Sequence, residues 1–370
     1  MINEEVIYSE IKDVIKSIGA LDKQAMENAQ NRVDILTKPP GSLGRLEELA
    51  VQLAGINGAL FPSNTAKRVV VMAADHGVTA EGISAFPAEV TAQMVANFHA
   101  GGAAVNVLAR QVGAEIEVVD IGVKVENNLP GVKRVRIKNG TDNFRWGKAM
   151  SRLEALKAIR AGITCAEEAV ADGVKILATG EMGIGNTTAS SAVTAVLTGY
   201  DPSLVVGRGT GLNDEQLGHK ITVVRESLNF HKPDARDIIS VLSQVGGLEI
   251  AALTGLIVGA ASKKIPVVID GFISSTAALA AVKLNDRVWH YLIPSHLSAE
   301  SGHALLMDYL NLKPYFNMGM RLGEGTGAVL ALHLVEAASR ITTEMATFED
   351  AQVSRSEKEE SVGRKVKGEE

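Results

Sequence analysis

The sequence predicts an α/β fold: a parallel β-sheet covered by helices on both faces. Three observations carry this expectation. From residue 68 onward, short apolar runs alternate with longer segments of helical periodicity. Most of these runs are apolar without interruption, as strands buried on both faces must be. Several end in glycine-rich or acidic clusters, the place where an open parallel sheet holds its ligands.

Taken in order, the first 60 residues read as helices. Residues 4–18 carry apolar side chains at Val6, Ile11, Val14, Ile15 and Ile18, one face of a helix, and 45–54 repeats the pattern. Between them, 36–44 holds two prolines and two glycines and is a rigid non-helical connector. Strands are expected at 68–74, 115–121, 174–179, 265–269 and 288–293. Helices are expected at about 87–110, 151–171, 187–198, 213–228, 248–263, 274–283 and 326–344. The segment 354–370 is mostly charged and too poor in apolar residues to offset its ordering entropy, so it is expected to be disordered.

Composition narrows the function. The 370 residues correspond to roughly two domains' worth of chain, and 46% hydrophobic residues exclude global disorder. A net charge of −6 lacks the footprint of a nucleic-acid binder. The single cysteine, Cys165, excludes an internal disulfide framework and cysteine-rich zinc sites, and fits a buried position in a reducing cytoplasm. Neither a signal peptide nor a membrane span is expected. Glycine is abundant at 36 residues while aromatics make up only 4%, which points to backbone contacts where other proteins use side chains.

The chemistry concentrates in the clusters after the strands. Gly180-Glu181-Met182-Gly183-Ile184-Gly185-Asn186-Thr187-Thr188 opens a helix whose free N–H groups favour an anion, so it reads as a phosphate cradle. A tight βα turn without ligand is the alternative. The spacing matches neither the dinucleotide fingerprint nor the nucleoside-triphosphate loop. Gly207-Arg208-Gly209-Thr210-Gly211 is a second such loop, before a helix carrying Lys220. Arg321-Leu322-Gly323-Glu324-Gly325-Thr326-Gly327 is a third. Its Glu324 is accessible between glycines, and beside apolar groups it would become a better base near neutral pH. The helix dipole acting alone would have the opposite effect. Asp270 closes a strand and could meet a sugar hydroxyl or cap a helix. Asp75 and His76 could serve a metallohydrolase, although no histidine spacing typical of zinc sites is present.

Taken with Thr37-Lys38-Pro39-Pro40-Gly41-Ser42-Leu43-Gly44 and Ala74-Asp75-His76-Gly77-Val78, these loops resemble the nicotinate-nucleotide–dimethylbenzimidazole phosphoribosyltransferase family of cobalamin lower-ligand synthesis, over about residues 30–345. The resemblance implies a Rossmann-like domain at 61–325 and a small helical domain formed by 1–60 with part of 326–350. It also implies a cytoplasmic homodimer acting on small molecules, nicotinate mononucleotide and a benzimidazole-type base. No cofactor, metal or nucleic acid is expected. The phosphoribosyl group would pass with inversion to 5,6-dimethylbenzimidazole, giving α-ribazole 5′-phosphate and nicotinate. Glu324 matches the family's general base. Gly183, Gly185, Asn186 and Thr187 match its phosphate loop, with Gly207, Gly209 and Lys220 nearby. Glu181 and Asp270 are expected at the ribose or base, and Ser84, Phe86, Gln93 and Leu322 around the benzimidazole. A non-catalytic nucleotide-binding or regulatory protein of the same fold is the other reading.

Overall fold

The apolar runs assemble into one sheet because each is too hydrophobic to face water on either side. In the computed structural model, which describes residues 3–125, 129–209 and 211–354, the strands are β1 (Lys67–Ala74), β2 (Glu115–Gly122), β3 (Val132–Arg134), β4 (Ile176–Met182), β5 (Val267–Ile269) and β6 (Leu292–Pro294). They lie in the order β3-β2-β1-β4-β5-β6, and every neighbouring pair is parallel. This is the expected doubly wound α/β fold. The chain builds one half outward from β1 and then returns to build the other from β4. The β1/β4 boundary is therefore the topological switch point, where such sheets open a crevice at their carboxyl ends. Register places Val69 between Ile116 and Ala178.

The helices follow in chain order as α1 (Glu4–Lys16), α2 (Lys23–Asp34), α3 (Arg45–Asn57), α4 (Val90–Ala100), α5 (Ala104–Val112), α6 (Arg152–Ala171), α7 (Asn186–Thr198), α8 (Pro202–Val205), α9 (Asp214–His231), α10 (Ile238–Val245), α11 (Leu248–Ser262), α12 (Phe272–Leu284), α13 (Ser301–Tyr309) and α14 (Thr326–Glu344). The helical pattern expected over 87–110 is two helices, because Gly101 takes a positive φ of 76° and ends the first. The run expected as a strand over 288–293 is mostly a 3₁₀ turn, Asp286–Tyr291, and only Leu292–Pro294 joins the sheet. β3, α2, α8, α10 and α13 had no sequence expectation of their own. α11 is apolar on all sides and buried almost throughout. It crosses α6 closely, since a Cβ on Gly162 would lie 1.8 Å from the Ala252 carbonyl oxygen. Part of the glycine excess thus serves helix packing rather than loops.

The chain divides into two units, Met1–Ala20 with Thr65–His333, and Leu21–Asn64 with Leu334–Glu370. Helix α1 lies in the larger unit. Ile7 and Ile11 are buried there, Asn285 Nδ2 donates to the Ile15 carbonyl at 2.8 Å, and the Tyr291 hydroxyl donates to the Gly19 carbonyl at 3.1 Å. In the smaller unit, α2 and α3 pack on each other and Arg32 donates to the carbonyls of Thr342 (3.1 Å) and Met345 (2.7 Å). The proline-rich connector is held by a buried Lys38–Glu47 ion pair at 2.8 Å. Residues 355–370 of the expected disordered tail lie outside the described residues. Among the described residues no helix is long and apolar enough to cross a membrane.

Candidate active site

The carboxyl ends of β4, β5 and β6 surround a cavity of about 430 Å³ within the larger unit. That volume suits a small organic ligand. Its chemistry is polarised: one end is a glycine-rich helix N-terminus, the floor is acidic, and the remaining wall is apolar.

The glycine-rich end is the turn between β4 and α7. Gly185 is the N-cap of α7, with a φ of 96° that an L side chain resists. Gly183, Gly185, Asn186 and Thr187 all line the cavity, as does Gly209 of the second glycine loop. Behind them Lys220, fully buried on α9, donates to Thr187 Oγ1 at 2.8 Å and to the Gly207 carbonyl at 3.1 Å. Burial pushes the Lys220 ammonium down to about 8, with the nearby Glu300 carboxylate opposing. Lys220 and Gly207 thus shape this end from one layer back. Arg208 turns outward to Asp214.

The floor holds two buried carboxyl groups, Glu181 and Glu324, with Asp270 behind them. Glu324 sits at a φ of 65°, flanked by Gly323 (83°) and Gly325 (96°). A non-glycine residue in this left-handed region carries a strain of about 1–2 kcal/mol, the kind that marks functional positions. The loop is held by close backbone packing, since a Cβ on Gly180 would lie 2.6 Å from the Glu324 carbonyl oxygen. Glu324 is 7% exposed and its Oε2 accepts no hydrogen bond. Burial, with repulsion from Asp270, raises its carboxyl to about 7. Burial raises Glu181 to about 8, helped by the charges of Asp270 and Glu249 and opposed by the Glu324 N–H and the Asn186 side chain. The Asn186 amide binds Glu181 Oε2, and the Glu324 N–H approaches Oε1 at 3.4 Å. Such neighbours cannot all be ionised together at neutral pH.

Asp270 does not line the cavity. Its Oδ2 accepts from Gly325 N at 3.2 Å and its Oδ1 from Ala328 N at 3.0 Å, so it caps α14 and fixes the loop that presents Glu324. Of the two roles the sequence leaves open for Asp270, sugar contact and helix cap, these bonds make the cap. Burial raises its carboxyl, against His296 and three backbone N–H groups.

The apolar wall comes from Ile83, Val90, Met94, Met182 and Leu322. Ser84 and Phe86 also line the cavity, with Phe86 and Leu322 more than half exposed at its edge. Gln93 does not. On α4 the residues facing inward are Val90 and Met94, one helical turn apart, and Gln93 points to solvent. Two residues that the sequence expectations do not place at the substrates, His296 and Glu300, also line the cavity. Their sequence signal is the position just after β6, since an open parallel sheet holds its ligands at the strand ends. His303, behind them, is pushed down to about 3 by burial and takes a structural place between Ser275 and Ser298.

Asp75 and His76 are held in contacts within the fold. Asp75 accepts from Lys124 N at 2.7 Å, and His76 Nε2 lies 2.6 Å from Glu249 Oε1 with both side chains fully buried. Among the described residues, the one cluster with metal-ligand spacing is Glu117, Cys165 and Glu168, and the Lys133 ammonium already occupies it. Burial raises the Cys165 thiol to about 11, which leaves it inert as a nucleophile.

Comparison with known proteins agrees with this geometry. A family model described as "Phosphoribosyltransferase" matches residues 18–353. The nicotinate-nucleotide–dimethylbenzimidazole phosphoribosyltransferase of Chloroflexus aggregans is 54% identical over 93% of this chain and 98% of its own length. The chain belongs to the nicotinate-nucleotide–dimethylbenzimidazole phosphoribosyltransferase family. A relative of the same name from Geotalea uraniireducens is 51% identical over 94% of this chain and 99% of its own. The crystal structure of the family member from Thermus thermophilus superposes with a TM-score of 0.86 at 43% identity, covering 91% of this chain and all of that one.

Proposed function

We propose that the chain transfers the phosphoribosyl group of nicotinate mononucleotide to 5,6-dimethylbenzimidazole, yielding α-ribazole 5′-phosphate and nicotinate for the nucleotide loop of cobalamin. The observation that carries this reading is Glu324: a buried carboxyl raised to about 7, with an unpartnered oxygen, between an anion cradle and an apolar wall. The acceptor's ring nitrogen forms a bond to C1′ as the bond from C1′ to the pyridinium nitrogen breaks. The electron pair of the broken bond returns to the pyridine nitrogen, so the ring of the departing nicotinate is uncharged and needs no acid. The proton on the acceptor's second nitrogen passes to Glu324, a base poised near neutral pH.

The other groups hold the reactants. Gly183, Gly185, Asn186 and Thr187 offer the N-terminus of α7 to the 5′-phosphate, with Lys220 and the 207–209 loop supporting it. Glu181 orients the acceptor, and the apolar wall with Ser84 and Phe86 takes its flat ring. Approach from the face opposite the leaving ring turns a β-nucleotide into an α-product. The same reading takes the protein as a cytoplasmic homodimer, and light scattering on the purified protein tests the dimer.

The deciding experiment incubates the protein with nicotinate mononucleotide and a panel of flat bases in a chelator, and identifies products by chromatography and mass spectrometry. α-Ribazole 5′-phosphate and nicotinate are expected. Tight binding without a new product would favour a non-catalytic nucleotide-binding protein. Product only with magnesium would favour a diphosphate-sugar donor. A panel is needed because such a pocket distinguishes one methyl group by only about 1–3 kcal/mol.

A further inference from the structure

Glu300 is the N-cap residue of α13, yet its carboxylate does not cap that helix. It turns toward the 207–209 loop instead. Gly207 makes the room, for a Cβ there would lie 1.9 Å from Glu300 Oε2. Glu300 is 7% exposed, lines the cavity, and its Oε2 accepts no hydrogen bond. A buried carboxylate oxygen without a donor is unfavourable, and native sites relieve that with a donor from the ligand.

The charge arrangement says which donor. The Lys220 ammonium attracts Glu300 but spends two of its three donors on Thr187 Oγ1 and the Gly207 carbonyl. A cation and an anion therefore flank the same glycine loop. Glu300 would repel a phosphate, so it is no phosphate ligand, and the donors a phosphoribosyl substrate can bring to it are its uncharged hydroxyls. Sugar hydroxyls meet that need, and two vicinal hydroxyls match the two oxygens of one carboxylate. Asp270 does not take this part, because it does not line the cavity.

From this arrangement we infer that Glu300 accepts hydrogen bonds from the ribose hydroxyls of the phosphoribosyl donor and holds the sugar between the phosphate cradle and Glu324. The inference rests on the phosphoribosyl-transfer reading above. It makes Glu300 a substrate-binding residue that fixes where C1′ sits.

The test crosses enzyme variants with substrate variants. Native protein, Glu300→Ala and the size-conserving Glu300→Gln are assayed with nicotinate mononucleotide and with its 2′-deoxy and 3′-deoxy forms. In the native protein, loss of a contacted hydroxyl lowers kcat/KM roughly 10- to 100-fold, as for a hydrogen bond to a charged group. In Glu300→Ala the ribose substrate loses a similar factor, and removing that hydroxyl as well brings little further loss; Glu300→Gln, which keeps one acceptor oxygen, falls between. If both deoxy substrates lose the same factor in the native and variant proteins, Glu300 merely balances Lys220 and the inference is overturned. Native protein that makes no product from the ribose substrate overturns the reaction reading, and this inference with it.

Discussion

Replacing Glu324 with glutamine removes a buried charge while keeping size and shape, so it separates what this carboxylate does for catalysis from what it does to stability. Its carboxyl is raised from an ordinary 4.5 to about 7. The folded chain therefore holds this proton more tightly than the unfolded chain does. Below pH 4.5 both states are protonated and the group is neutral in each. Between 4.5 and 7 the unfolded chain loses its proton first, so stability falls as pH rises. Above 7 the full difference is present. At about 1.4 kcal/mol for each tenfold change in proton affinity, the ionised group destabilises the native state by about 3 kcal/mol. Glu324→Gln is thus expected to be more stable than the native protein at about pH 8, by up to that amount, with the gap closing toward pH 4.5. Turnover is expected to drop by roughly 10²- to 10⁴-fold, the usual contribution of a general base. Denaturant midpoints at the two pH values, together with steady-state rates at the higher one, test both halves. A variant that keeps full activity refutes the base assignment. One that gains no stability at the higher pH refutes the claim that a strained, charged carboxylate is buried there.

Other consequences follow from the same geometry. The kcat/KM for nicotinate mononucleotide should rise with pH through about 7, as Glu324 loses its proton, and fall above about 8, as Lys220 loses its charge; a flat profile from about pH 6 to 9 contradicts this. Lys220→Met should fold, since it removes a buried charge, but raise KM for the nucleotide roughly 10- to 100-fold while sparing acceptor binding, measurable by calorimetry with each ligand. Gly180→Ala places a Cβ 2.6 Å from the Glu324 carbonyl oxygen and should lower kcat by displacing that loop, with secondary structure by circular dichroism unchanged. Leu256→Ala, in the fully buried α11, should destabilise by about 2–5 kcal/mol and leave KM unaltered.

Much of this molecule is legible along the chain because local rules suffice for it. The uninterrupted run Val69-Val70-Val71-Met72-Ala73-Ala74 can only be a strand buried on both faces, and it becomes β1, the pivot of the sheet. Gly183-Ile184-Gly185-Asn186-Thr187 announces a helix N-terminus open to an anion. Gly323-Glu324-Gly325 announces a carboxylate on an unusual backbone. Each of these signals lies within a few consecutive residues.

What the sequence could not decide depends on contacts between distant segments. Asp270 reads equally as a sugar ligand or a helix cap, and only the approach of Gly325 and Ala328 settles it as a cap. Gln93 and Met94 are neighbours in sequence, yet the rotation of α4 against the sheet sends one to solvent and the other to the cavity. The proton affinity of Glu324 follows from burial and the charge of Asp270, far away along the chain, and burial is a property of the packed state. Glu300 acquires its meaning only beside Gly207, on a loop much earlier in the chain. Periodicity and backbone preference act over one or two turns of chain, so the sequence by itself determined the class of fold and the location of its loops. Desolvation and Coulomb interaction act through space, so the tertiary structure alone decided which side chains share a site and what charge they carry there.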